Sequence, residues 1–273
     1  MASLSFGDRE YWDSRFAKDP SGFDWLLPAE ALDNAIAEAV AASSSQAPRI
    51  LHIGCGTSSL SSRLCSLVGS SDRVCNVDFS SVAIKASRAR EAAEMPGSRM
   101  QWVVANLLSL DDILTLGKSS ELGGGLYDIV VDKSTADAIS CGEDVPVPLP
   151  YPLRVPTMLE AEQDTSDQST GLVHPLSLLA VHVASLVPSG GRWLVLSYSS
   201  SRFHFLKRED HASSESLVGT GAFVDPLQLW EVAQEEPFDA PQAGEPVVGR
   251  PVVKHVLYTL IRTSIPVSLR ARC

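Results

Sequence analysis

The chain has 273 residues, 44% of them hydrophobic, and a net charge of −11 at pH 7. Its length and composition predict one large domain, residues 1–273, with a full hydrophobic core. The acidic balance argues against nucleic acid as the main partner, because phosphate binding needs a basic surface, and it favours a basic protein or an amine substrate.

Short apolar runs that alternate with amphipathic ones predict strand and helix units in a parallel sheet. An N-terminal helix is indicated first, by Leu32, Ile36 and Val40 at helical spacing. Strands are then expected at residues 49–54, 73–78, 100–106, 127–133, 192–198, 229–234 and 254–263.

Helices are expected after the first two strands and before the fifth strand. The first begins near Leu60, the second is capped by Ser80 or Ser81, and the third covers residues 176–187. Between the fourth strand and the third helix, residues 143–175 are rich in proline and in acidic residues. This insertion is predicted to be a loop or a partly ordered segment, solvated at the surface, with a substrate-facing lid as the alternative.

The sequence has no run of about 18 apolar residues, and its N-terminus lacks the pattern of a signal or transit peptide. We therefore expect a cytoplasmic protein that does not bind a membrane. Its cysteines form no C-x-x-C pair and are odd in number, so we predict free buried thiols, with neither a metal site nor a disulfide framework. They are Cys55, Cys65, Cys75, Cys141 and Cys273.

The turn after the first strand carries half of a dinucleotide-binding pattern. Gly54 and Gly56 allow a close approach of the backbone to a ligand, but Ser59 stands where the third glycine of G-x-G-x-x-G would be. The second strand ends in Asp78, whose carboxylate can accept hydrogen bonds from both hydroxyls of a ribose. NAD needs the third glycine around its pyrophosphate, whereas S-adenosylmethionine contains ribose and adenine without a pyrophosphate.

A third strand end adds Asn106 and Leu107, where an amide oxygen and a backbone N–H can pair with the edge of an adenine. Three consecutive strand ends therefore favour S-adenosylmethionine over NAD. The plain structural interpretations stay open, since the glycines could only shape a turn and Asp78 could only cap the next helix.

Several segments together resemble the seven-β-strand protein-lysine methyltransferases, and among these the elongation factor 1-alpha and citrate synthase lysine methyltransferases. The two most specific of these segments are "YWDSRF" and "VVDKSTADAI". The segments are YWDSRF (11–16), FDWL (23–26), ILHIGCGTSSLS (50–61), NVDFSSVAI (76–84), VVDKSTADAI (130–139), PSGGRWLVLS (188–197) and HVLYTLI (255–261).

The resemblance implies an α/β fold, a Rossmann-like seven-stranded mostly parallel sheet with helices on both faces and an antiparallel last strand. It also implies that an N-terminal segment, residues 1–47, covers bound S-adenosyl-L-methionine. The implied cofactor-binding residues are Trp12, Phe16 and Trp25 in the cover, Gly54, Cys55 and Gly56 in the turn, Asp78 and Phe79 at the ribose and adenine, Asn106 and Leu107 at the adenine edge, and Lys133 after the fourth strand.

The chain departs from the family pattern at four positions. His52 stands in place of a frequent acid, Phe16 in place of a tyrosine, Asn106 in place of an aspartate, and Ser134 in place of a glycine. These departures weaken the pattern without removing the pocket, because Asn106 still offers an acceptor oxygen.

The implied activity is methyl transfer to a lysine ε-amine of a protein, such as a translation elongation factor. The amine must be neutral to attack, and Asp132 is expected to orient it or accept its proton, with Asp137 as the alternate. A helix cap is the plain interpretation of either aspartate. Two alternatives for the whole chain are a small-molecule methyltransferase of the same fold and a cofactor-binding protein without catalysis.

Overall fold

The computed structural model describes residues 6–22, 24–118, 126–156, 169–207, 222–240 and 254–270. Its seven helices within these ranges are α1 Arg9–Lys18, α2 Asp33–Ala41, α3 Leu60–Val68, α4 Ser81–Glu94, α5 Leu110–Lys118, α6 Thr135–Ile139 and α7 Pro175–Ser185. The strands are β1 Ile50–Ile53, β2 Val74–Asp78, β3 Gln101–Val104, β4 Ile129–Lys133, β5 Val145–Leu149, β6 Leu153–Arg154, β7 Ser169–Val173, β8 Arg192–Ser197, β9 Trp230–Asp239, β10 Lys254–Arg262 and β11 Ser268–Leu269.

The main sheet has seven strands in the order β3-β2-β1-β4-β8-β10-β9. Strand β1 pairs in parallel with both β2 and β4, while β10 runs antiparallel to both β8 and β9. The predicted mostly parallel sheet with an antiparallel last strand is therefore confirmed. The strand order reverses between β1 and β4, and ligands of such sheets bind outside the carboxyl ends of the strands at that point.

Two hydrophobic clusters cover the two faces of the sheet. Because side chains alternate along a strand, Leu51 and Ile53 of β1 join one cluster with helix α7, and Ile50 joins the other with α2 and α3. Strands β1, β2 and β4 are buried along their whole length, as expected for parallel strands covered on both faces. These central strands give a rigid base to the loops at their carboxyl ends.

The two ends of the 143–175 insertion form strands, so the insertion is partly ordered rather than a loop throughout. Strands β5 and β7 form an antiparallel pair, with Val147 and Leu149 buried on its inner face. Pro146 and Pro148 read as loop signals in the sequence, but a two-stranded sheet consists of edge strands, which tolerate a missing N–H. Residues 157–168 of the insertion lie outside the described residues.

The prediction of buried free thiols holds for three of the cysteines and is wrong for a fourth. Cys55, Cys65 and Cys75 are buried free thiols as predicted, whereas Cys141 is exposed because it lies in the loop after α6. Cys273 lies outside the described residues. Within the described ranges, no helix is long and apolar enough to cross a bilayer.

Candidate functional site

A cavity of about 1200 Å³ opens at the carboxyl ends of β1, β2, β3 and β4, beside the point where the strand order reverses. Every residue that the sequence predicts to bind the cofactor lines this cavity, as does Asp137. The lining residues among those predictions are Trp12, Phe16, Trp25, Gly54, Cys55, Gly56, Asp78, Phe79, Asn106, Leu107 and Lys133.

The turn after β1 needs glycine at both of its glycine positions. Gly54 and Gly56 have φ angles of +54° and +50°, a conformation that side chains strain. A Cβ on Gly54 would overlap the side chain of Thr135, and one on Gly56 would press on the ring of Phe16 at 3.1 Å. The turn therefore lets its backbone approach both the start of α6 and the aromatic cover.

Asp78 ends β2 with its carboxylate at the cavity. One oxygen accepts a hydrogen bond from the N–H of Gly56 and the other from the N–H of Ser80, both at 2.8 Å. Burial raises the pKa of Asp78 to about 6, against the lowering effect of these two bonds. The carboxylate is thus held in place by the glycine turn and the start of α4.

The end of β3 forms a tight turn. The N–H of Asn106 donates to Asp112 at 2.8 Å, its side-chain oxygen accepts from the N–H of Leu108 at 3.0 Å, and its carbonyl accepts from Ser109. The turn is fixed before any ligand enters. An amide oxygen has two lone pairs, so Asn106 can still accept a second hydrogen bond.

Lys133, at the end of β4, fastens the N-terminal segment to the sheet. Its side chain is only 3% exposed, and its three donors meet Asp24 at 3.1 Å, the carbonyl of Trp25 at 2.8 Å and that of Leu27 at 3.2 Å. Burial lowers the pKa of Lys133, while the carboxylate of Asp24 acts to raise it. The ammonium is satisfied by protein groups, so Lys133 borders the cavity mainly as an anchor.

Asp24 also holds the glycine turn. Its carboxylate accepts hydrogen bonds from the hydroxyls of Ser58 and Ser59, the latter at 2.8 Å. Ser59 occupies the third glycine position, and its side chain provides a bond that glycine lacks. The substitution therefore attaches the N-terminal segment to the turn, a role that the sequence did not reveal.

Aromatic side chains from the N-terminal segment cover the cavity. Trp12 stacks on Phe16 with ring centroids 5.7 Å apart, and it meets Trp25 edge-on at 5.9 Å. The indole N–H of Trp12 donates to the carbonyl of Phe6 at 2.7 Å. The cluster brings two side chains of α1 and one from the segment after it to one wall of the cavity.

Asp132 lies in a different place from the one expected of a catalytic group. It is not among the residues that line the cavity, and its carboxylate accepts hydrogen bonds from the N–H groups of Thr135 at 2.7 Å and Ala136 at 3.1 Å. It is fully buried, and burial raises its pKa to about 8. The carboxylate caps α6, which is the plain interpretation of this residue.

Asp137 does line the cavity, but its carboxylate is already engaged. One oxygen accepts from the hydroxyl of Ser197 and pairs with the guanidinium of Arg202 at 2.9 Å, and the other accepts from the N–H of Tyr198 at 3.0 Å. Asp137 therefore ties α6 to the end of β8, and its position favours a structural role over proton transfer.

The sequence analysis missed Tyr198, which lines the cavity and is 51% exposed. Arg202 lies over its ring, 5.1 Å from the centroid. Tyr198 directly follows β8, so the strand-end rule that selected Asp78 could have selected it as well. It borders the same end of the cavity as Glu143 and Pro175.

His52 has a plain physical account. Its Nδ1 lies 3.1 Å from the hydroxyl of Ser61 and 3.2 Å from the side-chain oxygen of Asn76, so it links β1 to α3 and β2. Burial lowers its pKa to about 4, which keeps the ring neutral.

In the described part of the chain, no group of three or more His, Cys, Asp or Glu side chains could hold a metal ion.

Ser134 adopts a left-handed conformation, with φ at +73°, between β4 and α6. Its hydroxyl is buried at the cavity and has no hydrogen-bond partner among the described residues. Such a conformation is strained for any residue except glycine. Ser134 therefore lowers the stability of the fold in two ways, through its strained backbone and through its unpaired hydroxyl.

Substitutions at Ser134 should separate these two effects. Ser134→Ala removes only the hydroxyl, while Ser134→Gly also removes the backbone strain, so the glycine variant should be more stable than the alanine variant by about 0.5–1 kcal/mol. Urea denaturation of the three proteins measures the difference. An alanine variant as stable as the glycine variant would show that the left-handed backbone carries no cost.

Removing the Lys133 ammonium should loosen the N-terminal segment. Lys133→Met leaves Asp24 partly buried without its partner, which should lower the free energy of unfolding by about 3 kcal/mol and speed hydrogen exchange at residues 24–27. Lys207→Met is the matched control, because Lys207 pairs with Glu235 at 2.6 Å but is 44% exposed. Lys207→Met should lower the free energy of unfolding by less than about 1 kcal/mol. Equal losses would contradict the anchoring role.

Comparisons with known proteins agree with this geometry. The methyltransferase srdJ of Neurospora crassa is 33% identical over 139 residues, which cover 51% of this chain and 56% of that protein. EEF1A lysine methyltransferase 4 of Bos taurus is 27% identical over 203 residues, which cover 74% and 65% of the two chains. The chain thus spans less than two thirds of the length of these relatives. No protein-family model matches the sequence.

A solved structure of a SAM-dependent methyltransferase from Anabaena variabilis superimposes with a TM-score of 0.51, at 10% identity and with 96% of each chain covered. At this identity the likeness concerns the fold alone. The chain is therefore similar in sequence to EEF1A lysine methyltransferase 4 and has the fold of the SAM-dependent methyltransferase from Anabaena variabilis.

Proposed function

We propose that the protein is an S-adenosylmethionine-dependent methyltransferase that modifies a lysine ε-amine of a protein. One observation carries the proposal: the residues that the sequence predicts for the cofactor come from the cover, the turn after β1 and the ends of β2, β3 and β4, and all of them line one cavity. The ends of parallel strands meet at one edge in any such sheet, but the fold class does not require Trp12, Phe16 and Trp25 of the N-terminal segment to reach the same cavity.

The cavity offers a suitable group for each part of the cofactor. The turn at Gly54 and Gly56 suits the methionine portion, because it brings backbone atoms close without side chains. Asp78 suits the ribose hydroxyls, and the turn at Asn106 and Leu107 suits the edge of the adenine. The aromatic cover suits the positive sulfonium, which is attracted to the faces of aromatic rings.

S-adenosylmethionine supplies an activated methyl group when it is bound, so the protein has mainly to align the acceptor amine. The acceptor end is bordered by the ring of Tyr198, by Ile139 and by Pro175. Apolar walls of this kind lower the pKa of an entering amine and favour its neutral, nucleophilic form. Because Asp132 and Asp137 are engaged elsewhere, the amine is expected to lose its proton to water at the open mouth of the cavity.

A basic protein is the acceptor that best suits the surface. The net charge of −11 favours approach by a positively charged partner, and the exposed Asp8 and Glu143 lie at the cavity. The relatives named EEF1A lysine methyltransferase support a protein acceptor, and elongation factor 1-alpha is the first candidate. A small molecule is the second candidate, since the aromatic cover closes one side of the cavity.

Methyl transfer can be tested with labelled cofactor. Incubating the protein with S-adenosylmethionine carrying a labelled methyl group and with a cell lysate should label one or a few protein bands, and acid hydrolysis should release methyllysine. A Gly54→Leu variant is the control, because its side chain fills the turn and should abolish the label. Label confined to small molecules would replace the protein acceptor with a metabolite, and no label in either fraction would contradict the proposal.

Cofactor binding should depend on the charge of Asp78. Only the ionised carboxylate accepts two hydroxyl hydrogen bonds, so affinity for S-adenosylhomocysteine should be constant above pH 7 and fall as the pH drops through about 6. At pH 5 the binding should be about tenfold weaker, since about a tenth of the carboxylate stays ionised. His52 titrates near pH 4, below this window.

Calorimetry from pH 5 to pH 8 measures this dependence. Asp78→Asn should bind weakly at every pH and lose the dependence, because an amide does not titrate and accepts at one oxygen only. An Asp78→Asn protein that keeps the decline below pH 6 would assign the titration to another group.

A further inference from the structure

A series of buried hydrogen bonds runs through the core to Leu107, which lines the cavity. The hydroxyl of Tyr151 lies 2.6 Å from Nε2 of His182, and Nδ1 of the same ring lies 2.7 Å from the carbonyl oxygen of Leu107. All three residues are buried, and His182 is completely so. The series joins the insertion after β5, helix α7 and the turn after β3.

The direction of these hydrogen bonds follows from their chemistry. A carbonyl oxygen only accepts, so Nδ1 of His182 carries the hydrogen. Burial lowers the pKa of His182 to about 4, so the ring is neutral and its Nε2 has a lone pair. Tyr151 therefore donates to His182, and His182 donates to Leu107. Each donor in this series of hydrogen bonds therefore points towards the cavity.

The turn that receives these hydrogen bonds has a backbone N–H, that of Leu107, that points away from its interior. The carbonyl of Asn106 accepts from the N–H of Ser109 inside the turn at 2.9 Å. In a planar trans peptide the following N–H, that of Leu107, points the opposite way, out of the turn. Asn106 and Leu107 both line the cavity, while the carbonyl of Leu107 is fixed from the protein side by His182.

We infer that His182 and Tyr151 are positioning residues for base recognition: by holding the carbonyl of Leu107 they fix the backbone of the turn, so that the N–H of Leu107, in the preceding peptide unit, and the Asn106 amide oxygen meet the edge of the adenine. This inference rests on the proposed function. An N–H donor beside an amide acceptor matches adenine, whose ring nitrogen accepts and whose amino group donates. It does not match hypoxanthine, the base of S-inosylhomocysteine, in which the ring nitrogen donates and the exocyclic oxygen accepts.

Two conservative variants of His182 test the inference. An asparagine side chain places its amide near the former Nδ1, so His182→Asn keeps a donor for Leu107, whereas His182→Gln places its amide near the former Nε2. Calorimetry is done with S-adenosylhomocysteine and with S-inosylhomocysteine, and the ratio of the two affinities is compared. His182→Gln should reduce this ratio by about fivefold to tenfold, while His182→Asn should stay within about twofold of wild type.

Tyr151→Phe should reduce the ratio by about threefold, because it removes the donor that fixes the orientation of the ring. Trp230→Phe is the matched control: the indole N–H of Trp230 donates to the carbonyl of Ala180 on the same helix at 2.8 Å, in the core. This control should lower the melting temperature and leave the ratio unchanged.

The outcomes are separable. A His182→Gln protein that melts at a lower temperature but keeps the wild-type affinity ratio would overturn the inference and leave His182 with a structural role. A wild-type protein that binds neither compound would overturn the proposed function itself, whatever the variants do.

Discussion

The site depends on one ion pair, between the buried ammonium of Lys133 at the end of β4 and the partly buried carboxylate of Asp24 in the N-terminal segment. Burying a lone charge is costly, so each partner stays buried only while the other is present. Lys133 also holds two carbonyls of the segment, and Asp24 also holds the two serines after the glycine turn. The pair therefore joins the centre of the sheet, the aromatic cover and the turn, and the cavity exists because these three meet.

The sequence predicted much of the fold because its signals are local. Alternation of apolar runs located the seven strands of the main sheet, six of them to within about two residues, while β9 runs to Asp239 instead of the predicted residue 234. The strand ends then named Asp78 and Asn106 without any tertiary information, and the family resemblance added Lys133. The same rule cannot separate a ligand-facing acid from a helix cap, since both follow a strand and precede a helix. Asp132 is the example, because its carboxylate faces α6 rather than the cavity.

Ser59 shows why other features escaped prediction. In the sequence, Ser59 marks only a missing glycine, which indicates that the turn does not have to accommodate a pyrophosphate. Its positive role depends on Asp24, which lies 35 positions away and is brought to it by folding. Tyr151 and His182 escaped for the same reason, since no periodicity marks their hydrogen-bonded link to Leu107, which forms only in the core. The β5–β7 pair escaped because prolines usually mark loops, and only the pairing partner shows that this edge tolerates them.

The two ends of the cavity are held by different kinds of contact. Around the turn and the cover, charged groups such as Lys133 and Asp24 fix the backbone, whereas the turn at Leu107 is fixed by a neutral histidine in an apolar core. Charge pairs at a partly exposed edge weaken with salt and pH, but a neutral buried hydrogen bond does not. Adenine recognition should therefore withstand changes of solution conditions that loosen the cover. It also follows that the insertion, through Tyr151, is connected to the cofactor end of the cavity and not only to the acceptor end.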